Sequence, residues 1–307
     1  MTSIASALGP VFMLILLGAL LRRLDFPGEN FWPQAERITY YLLFPTLLIH
    51  KLSIAEVGNI PLVPTLGTIA FMFLAGSALL YLFRNRLASN DAAFTSVFQG
   101  GTRFNTYIGM ACVDALYGDA GLVIAAVSVA IMIPLVNVLC VLAFHLTLHR
   151  GNLSASNITR SLIENPLIIG CLIGVTLNQT GIGLPGWSED TLALLGSAAL
   201  PTGLLAVGVA LELHAIRTAW REIIAATVQR FLIMPLLLIL AMQWWPMPQL
   251  NASVLLLFAA LPTATSAFIL SRQLGGDSVL MANTITVQTL AGFLFVPAWL
   301  WLAASLF

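Results

Sequence analysis

The sequence predicts an all-α integral membrane protein: ten transmembrane helices in two inverted five-helix repeats, with helices four and nine broken where they cross. Three observations lead there. The composition suits a lipid solvent, the arginines alternate from one inter-helical connection to the next, and two pairs of segments match at nearly the same offset.

Of 307 residues, 59% are hydrophobic and 8% charged, with a mean hydropathy of +0.94, whereas a soluble domain carries about 25% charged residues. Such a chain is solvated mainly by the bilayer. The net charge is zero and Lys51 is the one lysine beside twelve arginines, which leaves no basic surface for nucleic acid. Cys112, Cys140 and Cys171 lie in apolar segments and read as small core residues, neither a disulfide framework nor a metal set. His50, His145, His149 and His214 fall near span ends without clustering, so no metal is expected. Gly100–Gly101 is not followed by the Gly-Lys-Ser/Thr of a phosphate loop, and no nucleotide motif is present, so no cofactor is expected.

The spans follow from stretches of roughly 20 apolar residues. Span one covers 4–21; its charges, Arg22 and Arg23, follow the apolar run, which reads as a mature helix and not a signal peptide. Span two, 34–50, holds Glu36 and Arg37 near its start, and span three covers 61–83. Span four, 92–115, contains the polar run "QGGTRFNT" (99–106), and span five covers 120–146. Spans six to ten cover 162–180, 190–212, 222–245, 251–271 and 278–305. With the N-terminus outside, ten arginines (22, 23, 37, 84, 86, 150, 160, 217, 221 and 272) fall on the cytoplasmic side against Lys51 opposite. This positive-inside bias predicts both termini on the extracytoplasmic side of an inner (plasma) membrane. Trp244, Trp245, Trp299 and Trp301 lie near span ends, as aromatic belts do.

The repeat rests on two matches. "LLFPTLLI" (42–49) echoes "AALPTGLLAVG" (198–208), pairing Pro45 with Pro201 at an offset of 156. "ALYGDAGLVIAA" (115–126) echoes "QLGGDSVLMANT" (273–284), pairing Gly118 with Gly276 at an offset of 158. Five spans per repeat force the second copy to be inverted, the architecture of many secondary transporters. The same offset sets Arg103–Phe104–Asn105 opposite Leu261–Pro262–Thr263, one expected to be broken by glycine and the other by proline. The half-helix ends would present free N–H groups and positive dipole ends, which suit an anion. Arg103 would add a full charge in a planar fork that fits a carboxylate.

Other readings stay open. Arg103 fits a substrate contact, a pair with Asp114, or hydrogen bonds to the carbonyls of the broken helices. Arg230, inside span eight, fits snorkelling, a structural pair or a substrate contact. Asp114 fits a proton or cation carrier or a surface position, and Asp119 and Asp277 look like helix N-caps. Asn137, Thr284, Thr286, Gln288 and Thr289 fit a cavity lining or interhelical hydrogen bonds.

Four segments, "FNTYIGMACVDALYGD" (104–119), "ENPLIIGCLIGVTLNQTGIGLP" (164–185), "LLGSAALPTGLLAVGVALEL" (194–213) and "LPTATSAFILSRQLGGD" (261–277), resemble the auxin efflux carrier family over essentially the whole chain. The resemblance implies a ten-helix fold shared with bile acid:sodium symporters. It implies a scaffold at 1–58 and 151–216 and a transport domain at 59–150 and 217–307, with Pro45 and Pro201 shaping the scaffold face. The family's substrate carboxylate is held at the crossing. The expected substrate site here is Gln99, Gly101, Thr102, Arg103, Asn105 and Thr106, with Pro262, Thr263, Thr265 and Ser266, joined by Asn137 and Gln288. A homodimer through the scaffold is implied. No regulatory domain is, since the central connection is "LHRGNLSASNITRSL" (148–162). Met110–Asp114 and Arg103 depart from the plant pattern and favour a small, more polar anion over auxin.

The expected function is secondary active or potential-driven transport of small organic anions by an elevator-type alternation, not enzymatic catalysis. The substrates in view are mono- or dicarboxylates such as malate or malonate, or auxin-like acids. Coupling to H+ or Na+ is open. The alternatives are a non-transporting membrane sensor, which would want an output domain, and a channel, which would want a continuous polar pathway.

Overall fold

The computed structural model describes residues 2–28, 30–55, 60–149, 164–212 and 219–306. Arg150, Arg160, Arg217, His214, nearly all of the 148–162 connection and all three expected domain boundaries lie outside them. Among the described residues every regular element is a helix. Six helical stretches among the described residues are long and apolar enough to cross a membrane: Ser6–Arg23, Leu62–Leu82, Asp91–Leu148, Trp187–Val209, Trp220–Met242 and Ser278–Leu302. Pro166–Gln179 and Gln249–Ala259 are apolar but shorter.

The chain divides into two units. The first comprises Met1–Ile60, Tyr107–Ala130 and Thr159–Ala210. Glycine sets its packing. A Cβ on Gly18 would lie 2.2 Å from the carbonyl oxygen of Leu205, and one on Gly208 would lie 2.0 Å from that of Ile15. The Thr2–Arg23 and Ala199–Val209 helices therefore meet backbone to backbone, the close approach that small residues permit in membranes. Gly170 and Gly174 do the same for the Pro166–Gln179 helix against Pro45 and Leu52 of Phe44–Ser53. Asn165 caps the start of Pro166–Gln179 by accepting from the Leu167 N–H at 2.9 Å. Asn178 ties its end down by donating to Ser53 O and Ala55 O at 3.1 and 2.7 Å. Lys51 pairs with Asp119 at 2.5 Å, just past Gly118, whose φ of 57° interrupts the Thr106–Leu148 helix.

The second unit comprises Pro61–Thr106, Ile131–Ile158 and Leu211–Phe307. Asn90 caps the Asp91–Thr102 helix by accepting from the Ala93 N–H at 2.9 Å. Asp277 caps Ser278–Leu306 by accepting from the Leu280 N–H at 2.9 Å. Gly275, at φ 77°, ends Ser266–Leu274 in the left-handed region, and the Gly276 N–H closes on Ser271 O at 2.8 Å.

Both units contain a wide π-type turn four residues or fewer ahead of a proline: Thr39–Leu43 before Pro45, and Gln229–Ile233 before Pro235. Proline has no N–H for the carbonyl four residues back and crowds it; a wider turn absorbs the mismatch. For Pro235 that carbonyl belongs to Phe231, and the Trp299 indole N–H takes it at 2.6 Å. Trp299 is thus a buried hydrogen-bond donor, not the interfacial belt residue that its place near a span end predicts. The same turn carries Gln229 and Arg230 inward, where both are buried.

Candidate functional site

The polar residues of the second unit converge on two places where helix stops and restarts. The Asp91–Thr102 helix ends, Arg103 is extended (φ −69°, ψ 152°), and the next helix begins at Thr106. Likewise Gln249–Ala259 ends, residues 261–264 are irregular, and Ser266–Leu274 begins. Each gap strands backbone N–H and C=O groups that a buried site must satisfy.

The gaps satisfy one another. The Asn105 N–H donates to Pro262 O at 2.8 Å. The Thr263 hydroxyl donates to Gln99 O at 3.3 Å. Gln288, fully buried on Ser278–Leu306, serves both gaps: its Oε1 accepts from the Thr263 N–H at 2.9 Å and its Nε2 donates to Gly100 O at 3.0 Å. The Gln99 Nε2 donates to Ser271 Oγ at 2.8 Å. Gln288 is therefore an interhelical bridge.

Two arginines divide the helix ends by polarity. The Arg230 side chain is wholly buried and does not snorkel. Its Nε donates to Leu261 O at 2.6 Å, its Nη1 to Thr102 O at 3.4 Å, and its Nη2 to Phe258 O. These acceptors lie at the C-terminal ends of Asp91–Thr102 and Gln249–Ala259. Each such end carries about −0.5 of an elementary charge, so together they offset about one guanidinium. That balance answers the cost of burying a cation that has no carboxylate beside it among the described residues.

Arg103 sits with the restarting helices. Its Nη1 donates to Ser266 Oγ, in the first turn of Ser266–Leu274, at 3.3 Å, and its Nη2 donates to Asn137 Oδ1 at 3.0 Å. Its Nε is buried with no hydrogen-bond partner, while the residue as a whole is partly exposed. Both partners are neutral, so Arg103 keeps its charge uncompensated among the described residues.

Of the expected site residues, Gln99, Arg103, Asn105, Asn137, Pro262, Thr263, Ser266 and Gln288 share this polar cluster. Thr102 is buried, donates its hydroxyl to Phe98 O at 2.7 Å and gives its carbonyl to Arg230. Thr106 and Thr265 are half-buried at the two restarts. Gly101 faces elsewhere: a Cβ there would lie 2.7 Å from Gln229 Cγ. A Cβ on Gly100 would lie 2.8 Å from Thr284 Cγ2 and 3.0 Å from Ala226 Cβ. The helix runs through both glycines and stops at Thr102, so they permit close packing and do not themselves break it. Pro45 and Pro201 belong to the first unit, Pro45 buried against Gly170 and Pro201 exposed. Sequence reasoning missed the role of Arg230 and the part of Ser271. Pro235 was the available signal for Arg230, since it calls for a distorted turn around that position.

A family profile described as "Membrane transport protein" matches residues 3–300. A "Putative malonate transporter" of Rhizobium meliloti (strain 1021) is 27% identical over 322 residues, covering 96% of both chains. An "Uncharacterized transporter" of Methanothermobacter thermautotrophicus is 24% identical over 293 residues, covering 94% of this chain and 95% of its own. "Uncharacterized transporter YfdV" of Escherichia coli (strain K12) is 22% identical over 306 residues, covering 96% of both. The chain belongs to this family of membrane transport proteins, the auxin efflux carrier family.

Proposed function

We propose that this family member is a secondary active or potential-driven carrier of small dicarboxylates, with malonate as the first substrate to test, and that the substrate is held beside Arg103. The uncompensated Arg103 guanidinium at the restarting helix ends carries the reading. Two helix N-termini contribute about +0.5 each and Arg103 contributes one full charge, so the site offers about +2 for a ligand of charge −2. The rhizobial relative bears malonate in its name, which agrees with that sum.

In this reading Asp91–Thr102 with the helix from Thr106, and Gln249–Ala259 with Ser266–Leu274, are interrupted spans that cross. Ten spans result, in two inverted five-helix repeats. The hydrogen bond between Asn105 and Pro262, which the 158-residue offset sets nearly opposite, supports the symmetry. Residues 1–58 and 151–216 serve as scaffold and dimer face, and residues 59–150 and 217–307 slide as the transport domain, an elevator-type alternation in the inner membrane. Glycine-mediated backbone contact in the first unit suits a rigid frame.

Radiolabelled malonate uptake into proteoliposomes, under imposed membrane potentials, tests the proposal. Saturable uptake is expected, with malate competing and acetate competing weakly. Arg103→Gln should weaken apparent affinity about 10–150-fold, the value of one charge-assisted contact of about 1.5–3 kcal/mol. Uptake of unchanged affinity in Arg103→Gln refutes the site. Tight malonate binding without uptake would instead favour a sensor.

A further inference from the structure

We propose that Arg230 is a resident counter-cation, taking the place that a coupling metal cation would occupy at the ends of the interrupted helices. The argument begins with the acceptors. Carbonyls at unwound backbone and half-helix C-terminal ends are the groups that coordinate Na+ or take protons in secondary transporters built on interrupted helices. Here the carbonyls of Thr102, Phe258 and Leu261 gather at two such ends. They bring about one negative charge in all. A free cation would find oxygen ligands and a matching field there.

The guanidinium of Arg230 already fills that position. It is wholly buried, and its Nε, Nη1 and Nη2 each donate to one of the three carbonyls. The turn that delivers it is wide, and the Phe231 carbonyl left over by Pro235 is satisfied by Trp299, so the backbone on either side is held. Gln229, its neighbour, is fixed by donating to Gly76 O at 3.1 Å. A covalently held cation cannot dissociate and cannot be carried as a coupled ion. Substrate movement should therefore need no sodium, and removing the side chain should create a vacant site for a small soluble cation.

The transport arm rests on the carrier reading above; the stability arm does not. Purified protein in detergent is heated with sodium, choline or guanidinium at millimolar concentration, well below denaturing levels. The wild-type midpoint should be the same in all three. Arg230→Ala should melt earlier and regain part of the loss in guanidinium but not in choline. In proteoliposomes, wild-type malonate uptake should change less than twofold when choline replaces sodium. Arg230→Ala should fall at least tenfold and recover in part with guanidinium. Sodium-dependent stability or uptake of the wild type overturns the proposal, whether or not any variant folds. A folded Arg230→Ala that guanidinium leaves unmoved also overturns it. No uptake under any condition, with guanidinium still restoring the midpoint of Arg230→Ala, would defeat the carrier reading and leave the resident cation standing.

Discussion

Gln288 holds two helix gaps with one side chain, and its removal should be costly in a way that can be calculated. Both its hydrogen bonds go to backbone groups: the Thr263 N–H at 2.9 Å and Gly100 O at 3.0 Å. The residue is fully buried, so water cannot replace it. Each orphaned group costs about 1–3 kcal/mol, and Gln288→Met, which keeps most of the volume, should lose about 2–6 kcal/mol from these two terms alone. At about 2–4 °C per kcal/mol for a chain of 150–250 residues, the melting midpoint should fall by roughly 4–24 °C. Gln288→Ala adds a cavity and should fall further. Thermal unfolding followed by size-exclusion chromatography in detergent measures both. Malonate uptake should fall alongside, because Thr263 and Gly100 border the gaps that place Arg103. A Gln288→Met protein melting within about 2 °C of wild type, less than 1 kcal/mol on that scale, would show that the bridge holds nothing.

The remaining outcomes need less working. Gly18→Ala and Gly208→Ala each put a Cβ within 2.2 Å of a backbone oxygen, which only a shift of a helix relieves. Each should cost about 3 kcal/mol and reduce the folded yield, while Gly9→Ala, with nothing within 4 Å of its Cβ, should change stability by less than about 0.5 kcal/mol. Asp277→Ala removes the acceptor for the Leu280 N–H and should cost about 1 kcal/mol; amide exchange at 278–281 should speed up.

Much of the helical layout was legible because hydropathy is a property of the residues themselves. The stretch expected over 61–83 is the helix Leu62–Leu82, and that expected over 278–305 is Ser278–Leu306. The gap at 103–105 lies inside the polar run that drew attention to it, and Asp277 caps its helix as its position suggested. The reason for the gap was not legible. Gly100 and Gly101 look like helix breakers but sit inside the helix, because what they supply is room for Thr284, Ala226 and Gln229, which approach from distant sequence. Nor was the role of Arg230, since its partners are main-chain carbonyls that every residue owns. Sequence displays side chains; it does not display which backbone groups a tertiary contact leaves unpaired.

The two buried-region arginines also separate by what their loss should do. Arg230 has three acceptors and no exposure, so its charge is spent on the helix ends it joins. Replacing it with glutamine leaves buried carbonyls and two negative helix ends uncompensated, a loss of about 3–5 kcal/mol by analogy with one partner removed from a buried pair. Arg103 has neutral partners, an unpaired Nε and partial exposure, so its charge is not consumed by the fold. Arg103→Gln gives up two bonds to uncharged groups and relieves repulsion from two positive helix ends, and its stability should stay within about 1 kcal/mol of wild type. Added malonate should raise the melting midpoint of wild type and of Arg230→Lys, yet not that of Arg103→Gln. If Arg103→Gln melts as early as Arg230→Gln, then Arg103 is bound into the fold as tightly as Arg230. The site would then have no free charge with which to meet an anion.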